Sequence, residues 1–388
     1  MADAAGPKVD AKAAEPFESS FAYREELGEK YAGVSRPTVF VVDLVSEGAR
    51  VAALTPADGF AFEGQPAFRP HSDELATTCW NDDSKKLGLV YCFNRKSSIA
   101  TRETLGSRPT VVTSDAIARS PRWRPDGGAL AYLGSDDGFD SHDGAVDLKL
   151  YDFGSTEISV LVPSPVGPLG PSAFPGIWGC PTLPEDCWID AETLYFNSLT
   201  RSFPSAFCLK TASKTLVPLR GPLPGAHRAL CCTKGGVAIV HASAPNDGVG
   251  SLLAVDCASG DVEDAVVCPP LGVVTSQSHQ FDSAPPALHY EVLQVGDFEA
   301  TLTWDASTPE RRPLVVAPHG GPHSNSNAAY SAPNAFLASL GYGVLAVNYR
   351  GSTGFGQHLL SQLPGKCGRL DVDDCVRAGV PETGRGSS

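Results

Sequence analysis

No stretch of the 388 residues approaches the roughly 20 consecutive apolar positions that a membrane-spanning helix needs. The opening MADAAGPKVDAKAAE lacks the apolar core of a secretory signal. These absences give no membrane partner and set the cytoplasm as the expected compartment. Clusters of Lys and Arg interleaved with aromatics are missing too, and the formal net charge of -14 would repel a phosphate backbone. Nucleic acid is therefore excluded as a partner. The 11 cysteines are odd in number and form no CxxC pair, which fits thiols in a reducing compartment better than a disulfide framework. Cys231 and Cys232 are adjacent, so a strand would point them to opposite faces. The histidines at 71, 142, 227, 241, 279, 289 and 358 show no H-x-x-x-H or mixed Cys/His spacing, and no metal or cofactor is expected.

What is present divides the chain. Its length suits two domains, each with its own core. Residues 1–16 carry no apolar periodicity and read as a mobile tail, with a lead-in to residue 36. From 37 to 290 short β-branched and aromatic runs such as TVFVVDL, ALAYLGS and GVAIVHA alternate with Gly, Pro, Asp and Ser, the mark of an all-β domain. A weak repeat runs through it: PAFRPHSDELAT, PRWRPDGGALAY and CWIDAETLYF each set an aromatic before a polar turn and a strand. In the second of these, Pro125 fixes φ, Asp126 can bond its own backbone and Gly127 accepts a positive φ, as a hairpin needs. Paired hairpins recurring every roughly 50 to 65 residues point to a partial β-propeller of about four to five blades.

From 291 to 388 the pattern changes. PLVVAP and GVLAVNY are continuous apolar runs, expected as strands buried on both faces of an open, mostly parallel sheet. PNAFLASLGYG between them reads as a helix with Pro333 in its first turn and Gly341 past its end, and a second helix starts near DVDDCVRAG. Asp371, Asp373 and Asp374 fall in that helix's first turn, where carboxylates suit the macrodipole.

Two motifs follow the two buried-type runs. His319, Gly320, Gly321 and Pro322 come directly after the first, where loops at the carboxyl ends of strands gather into sites. Glycines there let a backbone N–H approach a reacting carbonyl. In NYRGSTGFG, Arg350 can pair with a carboxylate or support the neighbouring loop, while Gly351, Ser352, Gly354 and Gly356 form a loop whose spacing is neither G-x-G-x-x-G nor a P-loop. Ser352 and Ser324 are the serines nearby and His319 and His323 the nearest bases, but neither serine reads as sitting on a strand-to-helix elbow. A loop serine without a base is the expected state, with His319 bracing its loop.

HGGPH at 319–323, NYRGSTGFGQ at 348–357 and the LPG…G…DV.D loop at 363–374 resemble the prolyl oligopeptidase superfamily of serine peptidases, and most closely its acylaminoacyl peptidases. The resemblance implies a propeller that filters peptides by size, followed by an α/β-hydrolase domain. It also implies release of an N-acylated amino acid from short acylated peptides, with the Gly321 N–H in the oxyanion hole. The family's triad is Ser, Asp, His, with the serine on a G-x-S-x-G elbow. No serine here has glycine at both the second preceding and second following positions. The domain is thus expected to be only the first part of a hydrolase, without a triad, inactive as it stands, and the propeller to lack early blades. The rival readings are a non-catalytic binding or assembly module and another exopeptidase of the superfamily, for instance one trimming dipeptides. Self-association into a homo-oligomer is left open.

Overall fold

The computed structural model describes residues 27–257, 266–267 and 287–380, apart from short interruptions at 28, 35, 45–47, 49, 82–87, 89, 104–105, 140, 171 and 220–224. The expected tail at 1–16 and the last residues, 381–388, lie outside the described residues.

The β-rich part opens with a hairpin, β1 (Phe40–Asp43) and β2 (Arg50–Ala53). Two antiparallel four-stranded meanders follow. The first is β3 (Phe60–Phe68), β4 (Leu75–Asn81), β5 (Ser97–Arg102) and β6 (Thr110–Val111). The second is β7 (Ile117–Trp123), β8 (Ala129–Ser135), β9 (Asp147–Asp152) and β10 (Glu157–Val162). One parallel residue pair, Ser97 with Ile117, joins them. Next come a three-stranded sheet of β11 (Thr193–Thr200), β12 (Phe203–Lys210) and β13 (Thr215–Pro218) and a four-stranded one of β14 (Ala226–Cys232), β15 (Val237–Ala244), β16 (Asp247–Asp256) and β17 (Val266–Val267).

The sequence repeat has a physical meaning in these sheets. Trp123 Nε1 donates to Ala67 O at 3.0 Å, and Trp188 Nε1 donates to Arg122 O at 3.2 Å. Each indole therefore bonds the carbonyl just before the aromatic position of the preceding repeat. Burial supplies the rest: an amphipathic ring covers apolar surface while its N–H must find an acceptor. The turn after Trp123 closes as its residues require, with Gly127 at φ +72° and Asp126 Oδ1 accepting the Gly128 N–H at 2.8 Å.

The last sheet is mixed. It contains β18 (Leu288–Val295), β19 (Phe298–Asp305), β20 (Leu314–Pro318) and β21 (Gly343–Asn348), in the order β18-β19-β21-β20. The expected division between 290 and 291 falls inside β18. Helix α1 (Ala332–Ser339) crosses from β20 to β21, with Pro333 in its first turn and Gly341 at φ +93° beyond its end. Short α2 (Gln357–Leu360) and α3 (Leu370–Gly379) follow.

Two expectations are corrected here. The sheet is not mostly parallel: β20 and β21 pair in parallel, whereas β18–β19 and β19–β21 are antiparallel. Nor is β20 buried on both faces. Because β21 takes the central place, β20 lies at the sheet edge, leaving Leu314 43% and Val316 36% exposed, while β21 is almost wholly buried. Among the described residues no helix is long and apolar enough to cross a membrane.

Charge is buried inside the first meander. Arg102 Nη2 lies 2.6 and 2.8 Å from the two Glu63 carboxylate oxygens, both side chains are buried, and Thr77 donates to the same carboxylate at 2.8 Å. Removing one partner strands the other charge in a desolvated place, at about 3–5 kcal/mol. Glu63→Ala is accordingly expected to lower the unfolding free energy by that amount in urea titrations followed by tryptophan fluorescence. A loss below about 1 kcal/mol would show that the Arg102 guanidinium reaches water.

Candidate active site

The site grows from the carboxyl ends of the parallel pair. Pro318 of β20 registers with Val347 of β21, so the segments leaving both strands meet: His319 to His323 from one, Tyr349 to Gly356 from the other. The imidazole of His319 stacks on Tyr349, ring centroids 4.4 Å apart. The Tyr349 hydroxyl donates to His319 O at 2.8 Å and lies 3.3 Å from Pro322 O, clasping the loop from beneath.

Gly321 holds φ +125°, a value side chains resist, and a Cβ there would come within 2.8 Å of Ser324 Cβ. Its peptide to Pro322 is cis. Among the described residues no acceptor takes the Gly320 or Gly321 N–H, and both glycines are exposed. Two amide donors are thus presented at the carboxyl end of β20. An apolar cleft of about 480 Å³ runs beside them, lined by Val316, Pro318, His319, Tyr349, Val372 and Val376, among others.

The structure brings an imidazole to Ser352. His319 Nε2 lies 2.7 Å from Ser352 Oγ, while Nδ1 lies 2.9 Å from Gly320 O. The imidazole therefore donates through Nδ1 and accepts the serine proton at Nε2. Ser352 is fully buried, and the partner of Nδ1 is a neutral carbonyl rather than a carboxylate. His323 is the buried counterpart: Nδ1 donates to Gly351 O at 2.8 Å, and its own carbonyl meets His142 Nε2 at 3.1 Å. Ser324 takes part through its backbone, its carbonyl accepting the Thr353 N–H at 2.8 Å.

Arg350 finds its carboxylate. Asp374, buried on α3, accepts from the Arg350 backbone N–H at 2.9 Å, from Nε at 2.9 Å and from Nη2 at 2.6 Å. The acidic turn DVDD thus does more than face a helix dipole: one of its carboxylates anchors the glycine loop. Asp371 caps its own turn by accepting the Gly368 N–H at 2.8 Å.

Several residues that position this site have no motif to announce them. The turn between β11 and β12 enters from the β-rich part, where Arg201 N donates to Gly354 O at 2.7 Å and Arg201 O accepts from Asn325 Nδ2 at 3.0 Å. Asn325 Nδ2 also reaches Thr353 O at 2.7 Å. A Cβ on Gly354 would meet Arg201 O at 2.7 Å, so glycine is what admits the turn. Buried Glu299 accepts from Arg201 and from Ser202 Oγ, the latter at 2.7 Å, and Asn348 Nδ2 donates to Ser202 Oγ at 3.0 Å. Among the described residues no group of three or more His, Cys, Asp or Glu could hold a metal ion.

Burial is the first cause that holds both imidazoles below the ordinary histidine value; the Gly320 and Gly351 carbonyls push the other way. Burial also raises the Tyr349 phenol to about 12, so it stays a donor. With unfolded histidines titrating near about 6.5, the unfolded chain binds more protons than the folded one between the depressed value and that pH. The stability tied to His319 is then complete above about pH 6.5 and is lost as pH falls through the folded value. Asp143, which burial raises to about 6, works in the opposite direction. It is common to the chain and to His319→Gln, so it cancels in their difference. The expected outcome is that the chain's advantage over His319→Gln in urea unfolding shrinks from pH 7.5 to pH 5.5. An advantage that grows on acidification would show the imidazole protonated in the folded state.

The Arg350–Asp374 anchor is open to a direct test. Asp374→Asn keeps the shape but removes the charge, costing about 1.5–3 kcal/mol for the lost charge-assisted bonds. Faster amide hydrogen exchange is expected over residues 349–356, with exchange in β8 and β9 unchanged. Equal exchange in both variants would detach the glycine loop from α3.

Residues 4–247 match the family described as acylamino-acid-releasing enzyme, N-terminal domain, and residues 328–379 match the prolyl oligopeptidase family. The chain is 31% identical over 371 residues to the acylamino-acid-releasing enzyme of Sus scrofa, an alignment covering 91% of this chain and 49% of that protein. It thus spans about half the length of that relative. Among solved structures, a Mycobacterium tuberculosis puromycin-hydrolyzing peptidase superposes with a TM-score of 0.59 at 19% identity, over 84% of this chain and 48% of that one. The Pyrococcus horikoshii acylaminoacyl peptidase does so with a TM-score of 0.58 at 13% identity, over 85% and 46%. These two likenesses concern the fold, a set of β-sheets followed by a mixed α/β sheet with its helices, and the family matches carry the assignment: the chain belongs to the acylamino-acid-releasing enzyme family of prolyl oligopeptidase-type peptidases.

Proposed function

We propose that residues 1–388 supply the substrate-admitting part and the oxyanion loop of a serine exopeptidase that releases an N-acylated amino acid from short acylated peptides. In this reading the sheets from β1 to β17 are four to five blades of a propeller, and the part from β18 onward is the start of an α/β-hydrolase domain. The observation that carries it is the pair of amides at Gly320 and Gly321, without an acceptor among the described residues, exposed at the carboxyl end of β20 in a loop held by the Tyr349 hydroxyl.

The chemistry asked of the loop is modest and well matched to its geometry. When a nucleophile attacks the scissile carbonyl, negative charge develops on its oxygen, and a fixed N–H aimed there stabilises the transition state more than the ground state. The Gly321 amide is exposed, and the Tyr349 hydroxyl bonds the carbonyls of His319 and Pro322 on either side of the two glycines, which limits relaxation of the loop during reaction. Within residues 1–388 the Ser352–His319 pair stands in the wrong place for attack. Its hydroxyl is buried, and its imidazole lacks the carboxylate that would stabilise an imidazolium.

The experiment joins residues 1–379 to the part of the Sus scrofa enzyme that lies beyond the matched region and assays acetyl-alanine p-nitroanilide. Hydrolysis is expected in the joined protein and none from residues 1–388 alone. Gly321→Pro in the joined protein is expected to lower kcat about 10²–10³-fold. An unchanged kcat would remove Gly321 from the oxyanion hole, and a serine-directed phosphonate label on Ser352 of the isolated chain would reassign the nucleophile.

A further inference from the structure

A second cavity, of about 410 Å³, opens in the β-rich part and is lined by two arginines and three aromatic rings: Arg95, Arg119, Tyr31, Trp80 and Phe93. Both arginines are deeply buried, at 2% and 6% exposure. Arg119 is the informative one. Its Nη1 donates to the carbonyls of Cys180 and Pro181, both neutral acceptors, and its buried Nε has no partner among the described residues. Nor does Arg119 form an ion pair there; Asp143 acts on it only at longer range. Its guanidinium lies over the Phe93 ring at 4.8 Å.

Burying a cation without a paired anion is costly, and bracing two carbonyls does not need a charge, since a neutral amide would serve. A cation kept in an aromatic-walled cavity suits an anion that arrives from outside. The aromatic rings in its lining favour a planar carboxylate on an apolar body over a compact, heavily hydrated phosphate, and the guanidinium fork matches a carboxylate's two oxygens.

Hydrogen bonds also link the wall of the cavity to the candidate active site. Phe93 N donates to His142 O at 2.8 Å, and His142 Nε2 meets the carbonyl of His323 in the HGGPH loop at 3.1 Å. We infer that the Arg95–Arg119 cavity binds the C-terminal carboxylate of a short acylated peptide, a specificity site in the β-rich part. This rests on the peptidase reading given above and adds to it a requirement for a free carboxyl end.

The test is binding, read by tryptophan fluorescence and calorimetry on residues 1–388, with N-acetyl-alanyl-phenylalanine as free acid and as C-terminal amide. The acid is expected to bind at least ten-fold more tightly. Arg119→Gln, checked for folding by circular dichroism, is expected to abolish that preference. Phe93→Leu leaves the Arg119 carbonyl bonds in place and is expected to weaken acid binding several-fold, so the inference stays testable if Arg119→Gln does not fold. Equal affinity for acid and amide overturns it, as does a folded Arg119→Gln that keeps the preference, or inorganic phosphate displacing the acid more effectively than benzoate. Benzoate separates this inference from the peptidase reading. Benzoate competing with the acid, in a protein whose joined form fails to hydrolyse, upholds the carboxylate site and removes the peptidase. No binding of either acid removes the site whatever the hydrolysis assay gives.

Discussion

Glu299 sits on β19 in the middle of the last sheet, buried, and a carboxylate there must be met by donors. The donors come from Arg201 and Ser202, in the turn between β11 and β12, almost a hundred positions earlier in the chain. Once that turn is drawn in, its remaining backbone groups need partners, and the loops of the candidate site provide them: Gly354 O, Asn325 and the Ala328 N–H. One buried charge therefore fixes three segments at once. The loops of the candidate site are thus held from the β-rich part as well as from their own sheet.

That dependence places a demand on the β-rich part, which must deliver its turn at a fixed height. The meanders meet it through repeated contacts rather than one large core. The Trp123 and Trp188 indoles tie each repeat to a carbonyl of the repeat before, and Arg122 and Arg119 hold the carbonyls of residues 180 to 184. Fully buried Trp178 then packs with Ala145 and Leu360, joining the segment before β11 directly to α2. A shift in one meander would be passed to the next and end at the site, because close-packed interiors transmit displacement rather than absorb it.

How much of this could be read from the sequence depends on whether the cause was local. The strands, the hairpin at Pro125–Gly127, helix α1 with its proline and glycine punctuation and the two glycine loops were legible, since each follows from residue type and spacing within a few positions. The edge position of β20 was not, because VVAP is apolar whether it lies inside a sheet or at its rim; only the order of pairing decides, and that is set by β19 joining β21. Asp374 was read through its nearest neighbours as one carboxylate among several in a helix turn, while its partner Arg350 lies 24 positions away. Arg201, Ser202, Glu299 and Asn325 carried no signal at all. Arg201 adopts φ +56° without the glycine or asparagine that would advertise it, and Glu299 occupies a strand position that alternation assigns to solvent.

Proximity of a serine and an imidazole is a weak sign of a nucleophile, and His319 and Ser352 show why. A catalytic pair needs a hydroxyl open to the substrate, an imidazole free to take up charge and a third group that favours the charged form. Here the hydroxyl is enclosed, burial lowers the imidazole's affinity for a proton, and a peptide carbonyl faces Nδ1. Each feature disfavours proton transfer, and each favours a neutral, directional hydrogen bond that holds its two ends in register. His319 belongs to the loop after β20 and Ser352 to the loop after β21, so their bond is the shortest link between the two motifs. It joins the segment that presents the amides to the segment gripped by Asp374 and Arg201. The pair is then a strut, and the amides it steadies, rather than the serine, are the groups that face outward.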